Sequence, residues 1–374
     1  MLNTVSPAYC QTHHELQTLI AQSSKLPDDQ VKGGLGILTA QISDPTLQSA
    51  IEDEIKDLSL RVISLEKTFI AVDALICRQD VDQTRVAALS KSWKSLHQEY
   101  RQLLVSSSQV AGQAHDLAND FASKFLPSLA SETTSGLDKV TSIQKYVKHV
   151  GDNDQNAERL SEELKKLQRN VAEFLNSWPS WDSVDVGIKM LDNEIGSLQH
   201  TVTDLLSNVS TLQRKFTYAI APPPGITAVL GSVLPSFWTG ALANAIASLV
   251  DPSLVAKIKS EAPALKPELS ARRSQRAQAE AILTPQQQLQ AYLMDMSTDL
   301  EGIIEPLNAM TKISHSIHSD MLVIDLTMVS GVFKPDTKQL VAPRLQAFSE
   351  LYKLASKAFT GYQTIIDAFI AHLS

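Results

Sequence analysis

Residues 47–76 read LQSAIEDEIKDLSLRVISLEKTFIAVDALI, and the apolar positions within this stretch decide the fold. From Leu47 they fall at Ile51, Ile55, Leu58, Val62, Leu65, Phe69, Val72 and Ile76. After two steps of four, the spacing alternates three and four. That rhythm keeps one stripe of side chains on one side of an α-helix and makes the seam of a coiled-coil-like bundle. The same phase puts Gln79 and Gln83 at core positions, with Val86 after them. One slip follows, and Leu89, Trp93, Leu96, Tyr100 and Leu103 resume the rhythm, extended by Val110, Ala114, Leu117 and Phe121. No proline interrupts residues 47–126, so a continuous helix here would be about 110–120 Å long. The alternative is a break at the glutamines of 79–83.

Working outward, the same pattern recurs. Leu160, Leu164, Leu167, Val171 and Phe174 form one run, and Pro179, between Trp178 and Trp181, bends or ends it. Ile188, Leu191, Ile195, Leu198, Val202, Leu205, Val209, Leu212 and Phe216 form the most regular run. Leu293, Met296, Leu300, Ile303, Leu307, Met310, Ile317, Met321, Ile324 and Met328 form another, with Pro306 expected to kink it. The last runs from Leu345 through Phe348, Tyr352, Ala355, Phe359, Tyr362, Ile366 and Phe369 to Leu373. No strand pattern competes, and Ala, Leu, Gln, Lys and Glu favour helix. The spacing predicts an all-α fold: an elongated antiparallel bundle of about five long helices.

The composition agrees. Charged residues are 20% and hydrophobic residues 43% of the 374, which is globular rather than disordered. A net charge of −8 with no dominant basic cluster argues against a nucleic-acid partner. Cys10 and Cys77 alone make no disulfide framework or zinc spacing. The first ten residues lack a basic region followed by an apolar one, so a soluble chain without a secretory signal is expected, cytoplasmic or released by another route.

One segment does not fit a soluble bundle. Between Lys215 and Asp251 there is no charged residue for 35 positions, 216–250. Its apolar side chains, Phe216, Ile226, Val229, Leu230, Val233 and Leu234, continue with Phe237, Trp238, Leu242, Ile246, Leu249 and Val250. These are the candidate membrane-inserting residues. The length from Ile226 to Val250 suits one crossing of a bilayer core about 30 Å thick, or a shorter hairpin turning near Pro235. Residues 226–250 hold nine Ala or Leu against seven β-branched residues, so the segment is expected to be mostly helical, divided at Pro235. Pro222, Pro223, Pro224, Gly225 and Pro235 are the candidate hinges. Arg214, Lys215, Lys257 and Lys259 flank the segment and could meet anionic lipid headgroups. The organisation expected is a tail bundle made of 1–215 and 251–374 together, with 216–250 inserted as an apolar head. The bland alternatives are a buried core hairpin, a dimer contact or a permanent transmembrane span.

This arrangement resembles the cytolysin A family of α-helical pore-forming toxins, which includes the components of the Bacillus haemolysin BL and non-haemolytic enterotoxin. The likeness is architectural. It rests on the heptad helices 47–121 and 188–216, the apolar insertion 216–250, and the helices 289–328 and 345–373. It implies a soluble monomer that stores an apolar hairpin, or tongue, against its bundle. On contact with a target lipid membrane the hairpin is released and protomers assemble into a homo-oligomeric ring, alone or with a second protein component. The competing reading is a non-lytic coiled-coil scaffold or membrane-remodelling protein.

No enzymatic motif stands against these readings. GxSxG, HExxH, Walker A and GxGxxG are absent, and no cofactor is expected. His315 and His318 share a helix face at i,i+3, but two histidines without a carboxylate or cysteine cluster read as solvated side chains, not as a metal site.

Overall fold

The computed structural model describes residues 42–77, 83–131, 136–151, 155–177, 224–234, 285–333 and 338–373, with a few isolated positions elsewhere. Every element among them is helical. The long ones are α1 (Pro45–Ile76), α2 (Gln83–Asp120), α5 (Gln155–Ser177), α7 (Pro285–Thr311), α8 (Ile313–Phe333) and α9 (Lys338–Leu373). The shorter ones are α3 (Leu126–Ala130), α4 (Gly136–Gly151) and α6 (Pro224–Val233). The run 188–216 lies outside the described residues.

Residues 47–126 are not one helix. α1 and α2 form an antiparallel hairpin, pinned by two side chains of α2 that donate to carbonyls of α1. Trp93 Nε1 donates to Phe69 O at 2.8 Å, and the Tyr100 hydroxyl donates to Val62 O. Seven residues forward on α2 is seven residues back on α1, as an antiparallel pair requires. The sequence Arg78-Gln79-Asp80-Val81-Asp82-Gln83 gives the reason. A helix carried through it would set two glutamines in the seam. Folding back instead lets both halves of the heptad stripe bury each other. Ile51, Ile55, Leu58, Val62, Leu65, Phe69, Val72 and Ile76 are all buried, as are Trp93, Leu96, Tyr100 and Leu103. Each large apolar side chain so buried contributes about 1.5–3 kcal/mol.

α5, α7, α8 and α9 pack on this hairpin. α9 runs antiparallel to α2, with Ser107 Oγ 3.0 Å from the Tyr362 hydroxyl and Ser349 Oγ donating to Ala122 O at 3.0 Å. α5 also runs antiparallel to α2, with the Phe174 and Trp93 rings 4.9 Å apart and Asn170 Nδ2 donating to Glu99 Oε2 at 3.3 Å. α5 ends at Ser177, two residues before Pro179, as its sequence demands. Its buried stripe is Leu160, Leu164, Leu167, Val171 and Phe174.

Two irregularities have local causes. A five-residue π-turn, Phe121–Phe125, joins α2 to α3, and the Leu126 N–H donates back to Phe121 O. It gathers rings. Phe121 meets Tyr352 edge-on at 4.7 Å, and Phe125 stacks on Tyr146 at 4.1 Å. The helix expected over 289–328 is two helices, with Lys312 between them. The chain stays helical through Pro306. A proline leaves the carbonyl four residues back without its helical donor. Here that carbonyl, Gly302 O, faces Arg61 Nη1 at 3.5 Å.

Candidate functional site: the docked head helix

The uncharged stretch enters the described structure as α6. Its apolar residues fall at 226, 229, 230 and 233, the spacing of one helix face. Ile226, Val229, Leu230, Val233 and Leu234 are all buried, at 0–2% exposure, whereas Ala228 on the opposite side is exposed. The face rests on α7, α8 and α9. Pro224 opens the helix, where a proline's missing N–H is no loss. The helix closes with Leu234 N–H donating to Leu230 O at 2.8 Å, one residue before Pro235. This part of the segment is helical, as expected, and the helix ends before Pro235; the rest of the segment lies outside the described residues.

The first turn of a helix presents backbone N–H groups with no partner inside the helix. In α6 two of them are satisfied by a side chain from another helix. Gly225 N donates to Asp320 Oδ1 at 2.6 Å and Ile226 N donates to Asp320 Oδ2 at 2.9 Å. The Tyr352 hydroxyl donates to the same Oδ2 at 2.6 Å. A carboxylate also suits the positive end of a helix dipole. Asp320 is nevertheless fully buried. Burial pushes its pKa up to about 7, against the opposing pull of Tyr352 and the two amides. Burial and the neighbouring Asp320 push the Tyr352 hydroxyl well above its ordinary value.

Contact is close at the point of attachment. A Cβ on Gly225 would lie 2.3 Å from Ser316 O and 2.6 Å from Ser316 Cα. Only glycine admits this approach of two backbones. On the outer flank the fit is open. A cleft of about 600 Å³ runs between α6 and the α7–α8 junction, lined by Ala228, Ser232, Glu305, Asn308, Lys312 and His315 among others.

Of the residues that the sequence singles out, Ile226, Val229, Leu230, Val233 and Leu234 come together on the buried face, and Pro224 and Gly225 form the first turn. Phe216, Pro222, Pro223, Pro235, Phe237, Trp238, Leu242, Ile246, Leu249 and Val250 lie outside the described residues, as do Arg214, Lys215, Lys257 and Lys259. His315 is exposed and His318 half-buried. The sequence reading passed over Asp320. Its signal was an acid three residues after Ile317 and four before Ile324, on the apolar stripe of its helix. Among the described residues no helix is long and apolar enough to cross a membrane.

A second buried carboxylate belongs to the α1–α2 hairpin. Glu66 Oε1 accepts from Arg101 Nη2 at 2.5 Å, and Glu66 Oε2 lies 2.7 Å from His97 Nε2. Burial alone would raise this carboxyl, but the hydrogen bonds and charges of His97 and Arg101 outweigh it and hold it below its ordinary value.

No family model and no curated protein matches the chain. Among solved structures, the chain is similar to the AhlB pore of the tripartite alpha-pore forming toxin AHL from Aeromonas hydrophila. The identity is 10% and the TM-score 0.37, over 88% of this chain and 100% of that one. It is similar also to the AhlB pre-pore, with 11% identity and a TM-score of 0.36 over the same shares.

Proposed function

We propose that the chain is an α-helical pore-former, or a component of one, whose segment 216–250 leaves the bundle and enters a target membrane as protomers assemble. One observation carries this reading. Part of a 35-residue uncharged stretch is a separate ten-residue helix laid against the bundle through one apolar face. Its first turn is held by side-chain hydrogen bonds to Asp320. An apolar helix attached by one face and a polar clasp can exchange protein for lipid without unravelling the heptad seams. The tail, 1–215 and 251–374, then serves as the frame for assembly, and no catalysis is involved. The architectural resemblance to the cytolysin A family is consistent with the same plan.

The scaffold reading has an observation of its own. Five apolar side chains of the head at 0–2% exposure are buried as deeply as any core residue. The two readings part on one experiment, dye release from liposomes containing anionic lipid. Purified protein that leaks dye is a pore-former. Folded protein that leaves the vesicles sealed and inserts none of 216–250 into them is a scaffold.

A further inference from the structure

We propose that Asp320 is the latch of the head helix, and that its ionisation, not its protonation, loosens the head from the bundle. The proposal rests on reading α6 as a releasable element and adds what regulates its release.

The geometry isolates the carboxyl. From α6 the backbone N–H groups of Gly225 and Ile226 meet it. From α9 it meets the Tyr352 hydroxyl. The tyrosine that α4 brings to the same ring cluster, Tyr146, gives its hydroxyl to Asp120 of α2 at 3.1 Å instead. On its own helix His315 is exposed and His318 half-buried. Glu305 of α7 and Lys312 at the junction are exposed along the outer cleft. Among the described residues no cation pairs with Asp320, so three neutral donors must stabilise its charge where water is excluded.

The direction of the switch follows from linkage. With the head docked, burial lifts the carboxyl from its ordinary 3.8 to about 7. With the head gone, water reaches the face of the carboxyl that α6 covered, and its pKa falls toward the ordinary value. The docked state therefore binds more protons between the two values. Docking is strongest below the lower one and weakens as pH rises through the higher one. From pH 6 to pH 8 the docking constant should fall about tenfold. A head released by acid would require the opposite sign.

The test is thiol labelling without lipid. Val229→Cys, in a Cys10→Ser, Cys77→Ser background, places the only thiol on the buried face of α6, where a maleimide reaches it only when the head is away. The labelling rate with Asp320 intact is divided at each pH by the rate with Asp320→Asn, which cancels the titration of the thiol itself. The ratio should rise about tenfold from pH 6 to pH 8. Tyr352→Phe removes one donor to the ionised carboxyl and should move the rise upward by about one pH unit. If Asp320→Asn does not fold, the pH at which labelling rises in Tyr352→Phe, compared with Tyr352, carries the test alone. A ratio independent of pH, or one that rises toward acid, overturns the latch. So does a Tyr352→Phe profile superimposed on the parent. Because no membrane is present, the readings separate: pH-dependent labelling with sealed vesicles sinks the pore and keeps the latch. Leaking vesicles with pH-independent labelling do the reverse.

Discussion

The Tyr352 hydroxyl donates to Asp320 Oδ2 at 2.6 Å, and the same oxygen accepts the Ile226 N–H at 2.9 Å. One carboxyl oxygen thus joins the last helix of the bundle to the first turn of the head. Behind Tyr352 stands Phe121 of the π-turn, ring to ring at 4.7 Å. The head is attached beside the ring cluster of Phe121, Phe125, Tyr146 and Tyr352.

Gly225→Ala tests that attachment sterically. The added methyl meets Ser316 backbone at 2.3–2.8 Å, and backbone cannot swing aside as a side chain can. Overpacking of this kind costs about 1–3 kcal/mol or more. The variant should lose docking, read as faster labelling of Val229→Cys and stronger binding of an apolar dye, with the far-UV spectrum nearly unchanged. Unchanged labelling would mean that α6 does not sit against Ser316.

The hairpin of α1 and α2 is tested at one cross-helix donor and at the ring packed between the two helices. Tyr100→Phe removes the bond to Val62 O, which keeps its own helical partner, so the loss should be about 0.5–1.5 kcal/mol. Phe69→Ala, at the centre of the Trp93, His97 and Tyr100 rings, should cost about 3–5 kcal/mol. Urea denaturation ranks them. Equal losses would contradict the assigned packing.

The two buried carboxyls should respond to acid in opposite senses. Glu66 is held below its ordinary 4.5 by His97 and Arg101 once their effect has overcome burial. The stability it provides is present above that ordinary value and is lost as pH falls through the lowered one. Glu66→Gln should therefore flatten the acid limb of a stability–pH curve recorded below about pH 5, leaving the region of pH 6 to 8 alone. Asp320→Asn should instead remove the loss of stability that sets in as pH rises from about 4 through about 7. A curve unchanged by both substitutions would contradict both assignments.

The seams were legible in the sequence because period is a local property. Residues 51–76 and 160–174 bury the side chains that their spacing nominates. The reversal between α1 and α2 was harder, since Gln79 and Gln83 keep the heptad phase and only their polarity speaks for a break. The division at Lys312 carries no such mark, and Pro306, where a kink is expected, lies inside the helix Pro285–Thr311. The uncharged composition of 216–250 pointed to the head, but its clasp depends on a partner 95 residues away and could not be read from spacing. Asp320 was visible only as a polar residue on an apolar stripe. The packing of the head also changes which substitutions are informative. Val233, at 2% exposure, cannot accept a charge without damage to the fold.

Ala228 is the position that separates fold from insertion. It is exposed in the docked head, on the flank that faces the cleft. Ala228→Asp should leave the soluble protein as stable as its parent. The same carboxylate carried into a bilayer core costs about 2.5–3.5 kcal/mol on insertion scales. Dye release from anionic liposomes by the parent and by Ala228→Asp, at matched concentration and matched thermal stability, is the direct measurement. The account predicts rapid leakage by the parent and at least a tenfold slower rate for the variant. Equal leakage by both, or sealed vesicles with the parent, would contradict it.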